Sequence, residues 1–136
     1  MGFLDNALKK IGATLATRYG VVSSGKYKGC DIVLGNPPTK KISTSYSFSQ
    51  MIFLDDKEEV ARLDILSDIE DIKFSETFEY PATGHNGYRC TITFTNGDTC
   101  QADLSPSKIR VFYSSVKSVM LEETQKFFEK EIEKLS

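Results

Sequence analysis

Histidine occurs once in this chain, cysteine three times and tryptophan not at all. One histidine, His85, without clustered cysteines cannot supply the four nitrogen and sulfur ligands of a structural zinc site, so no metal is expected. An odd number of cysteines argues against a disulfide framework and for reduced thiols, which points to a cytoplasmic protein. Long apolar runs are also missing: nothing approaches the roughly 18 residues that span a bilayer. Asp5, Lys9 and Lys10 interrupt any secretory h-region, and Asn6 stands where a myristoylation motif wants Ser or Thr. The net charge of only −2 gives no general case for nucleic-acid or anionic-membrane binding, and no nucleic-acid partner is expected.

Recognisable chemistry is equally scarce. Gly25-Lys26 is followed by Tyr27, where a phosphate loop needs Ser or Thr. Asp55-Asp56-Lys57-Glu58-Glu59 lacks the alternating oxygen ligands and central glycine of a calcium loop and reads as a charged hairpin turn. Cys30, His85 and the acidic segment cannot be placed together by spacing, so no catalytic residues, no cofactor and no enzyme activity are expected.

What the chain does contain is the pattern of one α+β domain over residues 1–136, long enough to bury a core without staples. Phe3, Leu4, Ala7, Leu8, Ile11, Leu15 and Tyr19 recur at helical spacing and predict an amphipathic helix over 1–20, stopped by Gly20. Its stripe of Phe3, Leu4, Leu8, Ile11 and Leu15 is a candidate interaction surface, for the domain, a second copy or a membrane interface. Strands are expected over 27–34, 42–46, 50–54 and 60–65, then through Ile72 and Phe74, with a loop over 80–87. Together with the hairpin of 88–104 they form an antiparallel sheet over 27–104. Ser105 as N-cap and Pro106 at the first helical position open a C-terminal helix over 106–135, either continuous or broken near Lys117-Ser118.

The hairpin is the most specific reading. A two-residue Asn96-Gly97 loop would put Cys90, Ile92 and Phe94 on the opposite face from Cys100, Ala102 and Leu104. A three-residue loop of Thr95, Asn96 and Gly97, with Gly97 left-handed, pairs Phe94 with Asp98, Ile92 with Cys100 and Cys90 with Ala102. All six apolar side chains then share one face, and this is the expected register.

Charge is unevenly spread. Residues 1–50 hold seven bases against two acids, residues 51–80 three against ten, and the remainder seven of each. If the sheet separates these segments, one side is basic and another acidic.

About seven short strands, with 67–72 between two of them, then the Asn-Gly hairpin and a helix from Pro106, resemble the bacterial pleckstrin-homology-like domains over residues 27–120. The resemblance implies a partly open antiparallel barrel of about seven strands, capped by a long C-terminal helix. It also implies a non-catalytic binding or scaffolding role. Eukaryotic relatives bind phosphoinositides through bases near the first strands, where Lys26, Lys28, Lys40 and Lys41 stand here, which makes them candidate ligand-binding residues. The expected function is therefore a cytoplasmic module that binds a protein partner or itself. The alternative is a peripheral role on anionic lipid or another anionic ligand.

Overall fold

The structure is a computed structural model that describes residues 17–37, 48–79 and 86–135. Residues 1–16 of the helix expected over 1–20 fall outside the described residues, as do the strand expected over 42–46, Lys40, Lys41 and His85; its described end is not helical, since 17–19 are irregular and the sheet begins at Gly20, ahead of the expected 27.

Seven strands follow one another: β1 Gly20–Gly25, β2 Asp31–Gly35, β3 Gln50–Asp55, β4 Glu58–Asp64, β5 Ile69–Glu79, β6 Asn86–Phe94 and β7 Thr99–Leu104. They form one antiparallel sheet in the order β4-β3-β2-β1-β7-β6-β5, in which the first and last strands join two meanders. β4 and β5 are its edges, so the sheet is not closed. Helix α1, Ile65–Asp68, links these edge strands, capped by the Asp64 carboxylate, which accepts from the amides of Leu66 and Ser67.

The first strand corrects the reading of 27–34 as one strand. β1 lies earlier, in a stretch whose glycines suggested punctuation, and residues 26–29 form the turn. Gly25 (φ +84°) and Gly29 (φ +89°) supply left-handed backbone at its ends, the conformation glycine adopts without strain. Tyr27 also sits at positive φ (64°), held by stacking on Phe53 at 4.5 Å and an edge contact with Phe94 at 5.8 Å. The β3–β4 turn places both Asp56 (φ 50°) and Lys57 (φ 69°) in the left-handed region, as a two-residue type I′ loop requires.

The β6–β7 hairpin has the expected register: Ile92 opposite Cys100 and Cys90 opposite Ala102. The Phe94 amide donates to the Asp98 carbonyl at 2.9 Å, the Gly97 amide returns to the Phe94 carbonyl at 2.9 Å, and Gly97 has φ +94°. Phe94, Ile92, Cys90, Cys100, Ala102 and Leu104 are all buried in the main core. Thr95 and Thr99 are exposed, while Thr91 and Thr93 are half-buried.

The C-terminal segment is not one long helix. A 3₁₀ turn, Pro106–Lys108, leads into α2, Ile109–Val116; a second, Lys117–Val119, follows; then Met120 turns extended (φ −86°, ψ 142°) before α3, Glu122–Lys134. Ser105 does not cap with its side chain; its hydroxyl meets that of Ser107 at 3.2 Å. The break at Met120 is satisfied from both sides. Met120 bridges to Ile72 in parallel along the β5 edge, and the Gln125 side-chain amide donates to the carbonyls of Lys117 at 2.8 Å and Met120 at 3.0 Å. The turn lets α3 pack back on the sheet. The Phe74 amide of edge strand β5 donates to Thr124 Oγ1 at 3.1 Å, and Phe127 stacks on Phe74 at 3.8 Å. Two phenols pin the same helix, Tyr113 donating to Glu129 at 2.5 Å and Tyr88 to Glu131 at 3.0 Å.

Candidate functional site

Of the four candidate lysines, the structure describes Lys26 and Lys28, and both are exposed on the β1–β2 turn. The Lys26 amide donates to the Thr99 carbonyl at 2.9 Å, which sets this turn beside the β6–β7 turn. There the Lys26 ammonium lies 4.0 Å from the Asp98 carboxylate and 5.4 Å from the centre of the Tyr27 ring. Across the sheet, Asp31 is paired with Leu54, so Asp55 and Asp56 of the β3–β4 turn lie at the same end. Arg18 reaches Asp31 at 3.3 Å. Arg18 and Lys26, two of the described bases of the first third, thus each stand beside a carboxylate.

All three cysteines are free and buried. Burial pushes the thiols of Cys90 and Cys100 up to about 12, with the Asp103 carboxylate adding to the effect at Cys90. Burial likewise raises Cys30, with help from Asp55 and Asp31. At neutral pH they remain protonated, the form that is neither a nucleophile nor a metal ligand. Among the described residues no group of His, Cys, Asp or Glu is arranged to hold a metal ion, and no helix is long and apolar enough to cross a membrane.

On the sheet face opposite the main core, Arg89 of β6 joins three strands. Its Nε and Nη2 bind both oxygens of Asp103 at 2.7 and 3.1 Å, and Nη1 binds Glu76 at 2.8 Å, with the guanidinium over the Phe78 ring. One N–H of each guanidinium nitrogen is thus committed to a carboxylate on a neighbouring strand, which makes this a cross-strand tie.

A different place has unused capacity. Where the chain enters β1, the Ser105 amide donates to the Tyr19 carbonyl at 3.0 Å, bringing the entrance of the sheet to the start of the C-terminal helices. Between them and the end of α3 lies a cleft of about 480 Å³, lined by Thr17, Tyr19, Pro106, Ser107, Lys108, Arg110, Val111 and Leu135. Its apolar part comes from Tyr19, Pro106, Val111 and Leu135, the last 54% exposed. Lys108 and Arg110 are exposed at its rim, and neither has a carboxylate partner among the described residues. The lining offers hydroxyls from Thr17 and Ser107 but no base to activate them. Chemically, the cleft is suited to accept an apolar group that carries a negative charge beside it.

Neither Lys108 nor Arg110 stood out in the sequence, because two bases at a helix start read as its solvated face. The cleft exists only because residues 17–19, 106–111 and 135 converge. The expected interaction residues Phe3, Leu4, Leu8, Ile11 and Leu15 lie outside the described residues. Comparison with protein-family models finds no match, and none is found among curated proteins or solved structures.

Proposed function

We propose that the chain is a non-catalytic interaction module that binds a protein partner or a second copy of itself. The observation that carries this reading is the cleft beside α3, in which the half-exposed Leu135 and Val111 stand next to two cations, Lys108 and Arg110, that have no carboxylate partner among the described residues. Such a surface complements a segment presenting an apolar side chain beside a carboxylate, with the charges setting specificity and approach rate. The end of α3 is itself such a segment, since exposed Glu133 lies two residues from Leu135. Two copies related by a twofold axis would satisfy each other's cleft. The sequence pattern's resemblance to pleckstrin-homology-like domains, for which binding or scaffolding is the common role, agrees with this reading.

Sedimentation of the full chain over a concentration series tests this. Association that rises with concentration is expected, weakened about tenfold or more, roughly 1.4 kcal/mol, by Leu135→Asp or Arg110→Glu. A chain that stays monomeric throughout, and retains no purified partner that the Leu135→Asp chain fails to retain, overturns the reading.

A second reading, binding to an anionic surface, draws on the exposure of both Lys26 and Lys28 on one turn. It requires recovery with anionic vesicles that falls as salt rises, since screening weakens attraction between exposed charges. Equal recovery with neutral vesicles, or none with either, counts against it, and the carboxylates around that turn make this the weaker of the two.

A further inference from the structure

Strands β2 and β3 are buried on both faces. Ile32, Leu34, Met51 and Phe53 point into the main core, and Val33, Ile52 and Leu54 point away from it into a separate cluster. Those three side chains are only 4%, 7% and 6% exposed. Val33 pairs with Ile52, and Leu54 is the next outward residue on β3, so the cluster is one continuous patch. The C-terminal helices do not lie over it, since Ile109, Phe112, Val116 and Phe128 belong to the core on the other side. A solvated sheet face alternates apolar with polar side chains, whereas unbroken apolar runs such as Ile32-Val33-Leu34 and Met51-Ile52-Phe53-Leu54 belong to strands covered on both sides.

We propose that this outer face is the seat of the chain's own N-terminal apolar stripe, Phe3, Leu4, Leu8, Ile11 and Leu15, docked within the same molecule. The connection to that stripe runs beside the patch. Arg18 is ion-paired at 3.3 Å with Asp31, which precedes Val33 by two residues on β2 and so shares its face. Sixteen residues of helix would span about 24 Å, enough to cross strands spaced about 4.8 Å apart. The border of the patch is charged: Asp31 and Glu59 pair with Leu54, Arg62 pairs with Ile52, and the two carboxylates are bound by Arg18 and Arg62. The segments 38–47 and 80–85 are poorer candidates, since their large apolar residues are only Ile42 and Tyr46 in the first and Tyr80 in the second. This docking is independent of the α3 cleft, and each can fail without the other.

The test places a nitroxide on a Lys10→Cys variant of the full chain, in which Cys30, Cys90 and Cys100 are buried and protected from labelling. Methyl resonances of Val33, Ile52 and Leu54 are expected to lose most of their intensity at high dilution, while those of Val111 and Leu135 at the cleft keep theirs. Broadening seen only when spin-labelled chains are mixed with isotope-labelled, spin-free chains would assign the seat to a second copy and overturn the proposal. Broadening of Val111 and Leu135 instead, or of none of these methyls, overturns it too. As a second readout, Leu8→Asp with Ile11→Asp should shift the Val33, Ile52 and Leu54 methyls and leave Ile92, in the main core, in place. Unmoved outer-face methyls would contradict the docking.

Discussion

Replacing Phe128 with alanine is expected to lower stability by about 3–5 kcal/mol, the range for deleting a buried aromatic ring that leaves a cavity. Phe128 is the residue through which α3 enters the core, 1% exposed. Its ring meets Tyr88 at 5.5 Å and Phe127 at 5.3 Å, both edge-on, and lies 6.3 Å from both Phe74 and Tyr113. Apart from Phe127 of the same helix, these neighbours come from β5, β6 and α2, so the ring ties α3 to three separate parts of the chain. For a domain whose total stability is about 5–15 kcal/mol, that loss is a large fraction. Urea unfolding is the measurement, with the midpoint falling and the slope unchanged. Phe127→Ala is the comparison. That ring is only half-buried, stacked on Phe74, and its loss should cost roughly 1–2 kcal/mol by the area it withdraws from water. Equal losses from the two substitutions would mean that α3 does not seat through Phe128.

The break that allows this seating was legible only as an alternative, and the reason is physical. Val116, Val119 and Met120 continue the three-and-four spacing of Ile109, Phe112 and Tyr113, so nothing local marks Met120 as extended. What makes it extended is Ile72, far away in sequence, and the Gln125 side chain that satisfies the freed carbonyls. The hairpin was legible for the opposite reason. Its six apolar residues test the register directly, because slipping by one residue would turn three of them to water, a cost that outweighs the preference for a shorter loop. β1 was missed because Gly20 and Gly25 bracket it and glycine is poor evidence for a strand. Both are there because β7 approaches so closely that a side chain would collide with it. The cleft was not legible at all, since its parts come from both ends of the chain and each part alone looks like ordinary surface.

The close approach at Gly25 makes the second large prediction: Gly25→Ala should cost about 2–5 kcal/mol, far more than the same change at Gly29. Both glycines are left-handed, with φ +84° and +89°, so alanine at either carries the left-handed penalty of roughly 1–2 kcal/mol. At Gly29 a new Cβ meets nothing within 4 Å and the penalty ends there. At Gly25 it would sit 2.5 Å from the Thr99 carbonyl oxygen and 2.9 Å from the Cys100 Cα. Both are backbone atoms of the paired strand, which cannot rotate aside as a side chain can. Relief requires parting β1 from β7, at an overpacking cost of about 1–3 kcal/mol. That movement would also strain the hydrogen bond from the Lys26 amide to the Thr99 carbonyl and draw Lys26 away from Asp98. Urea unfolding of the two variants side by side isolates the second contribution, since the conformational one is common to both. Equal losses at Gly25 and Gly29 would show that β1 does not lie against β7 as described, and would remove the joint between the two meanders on which the sheet order depends.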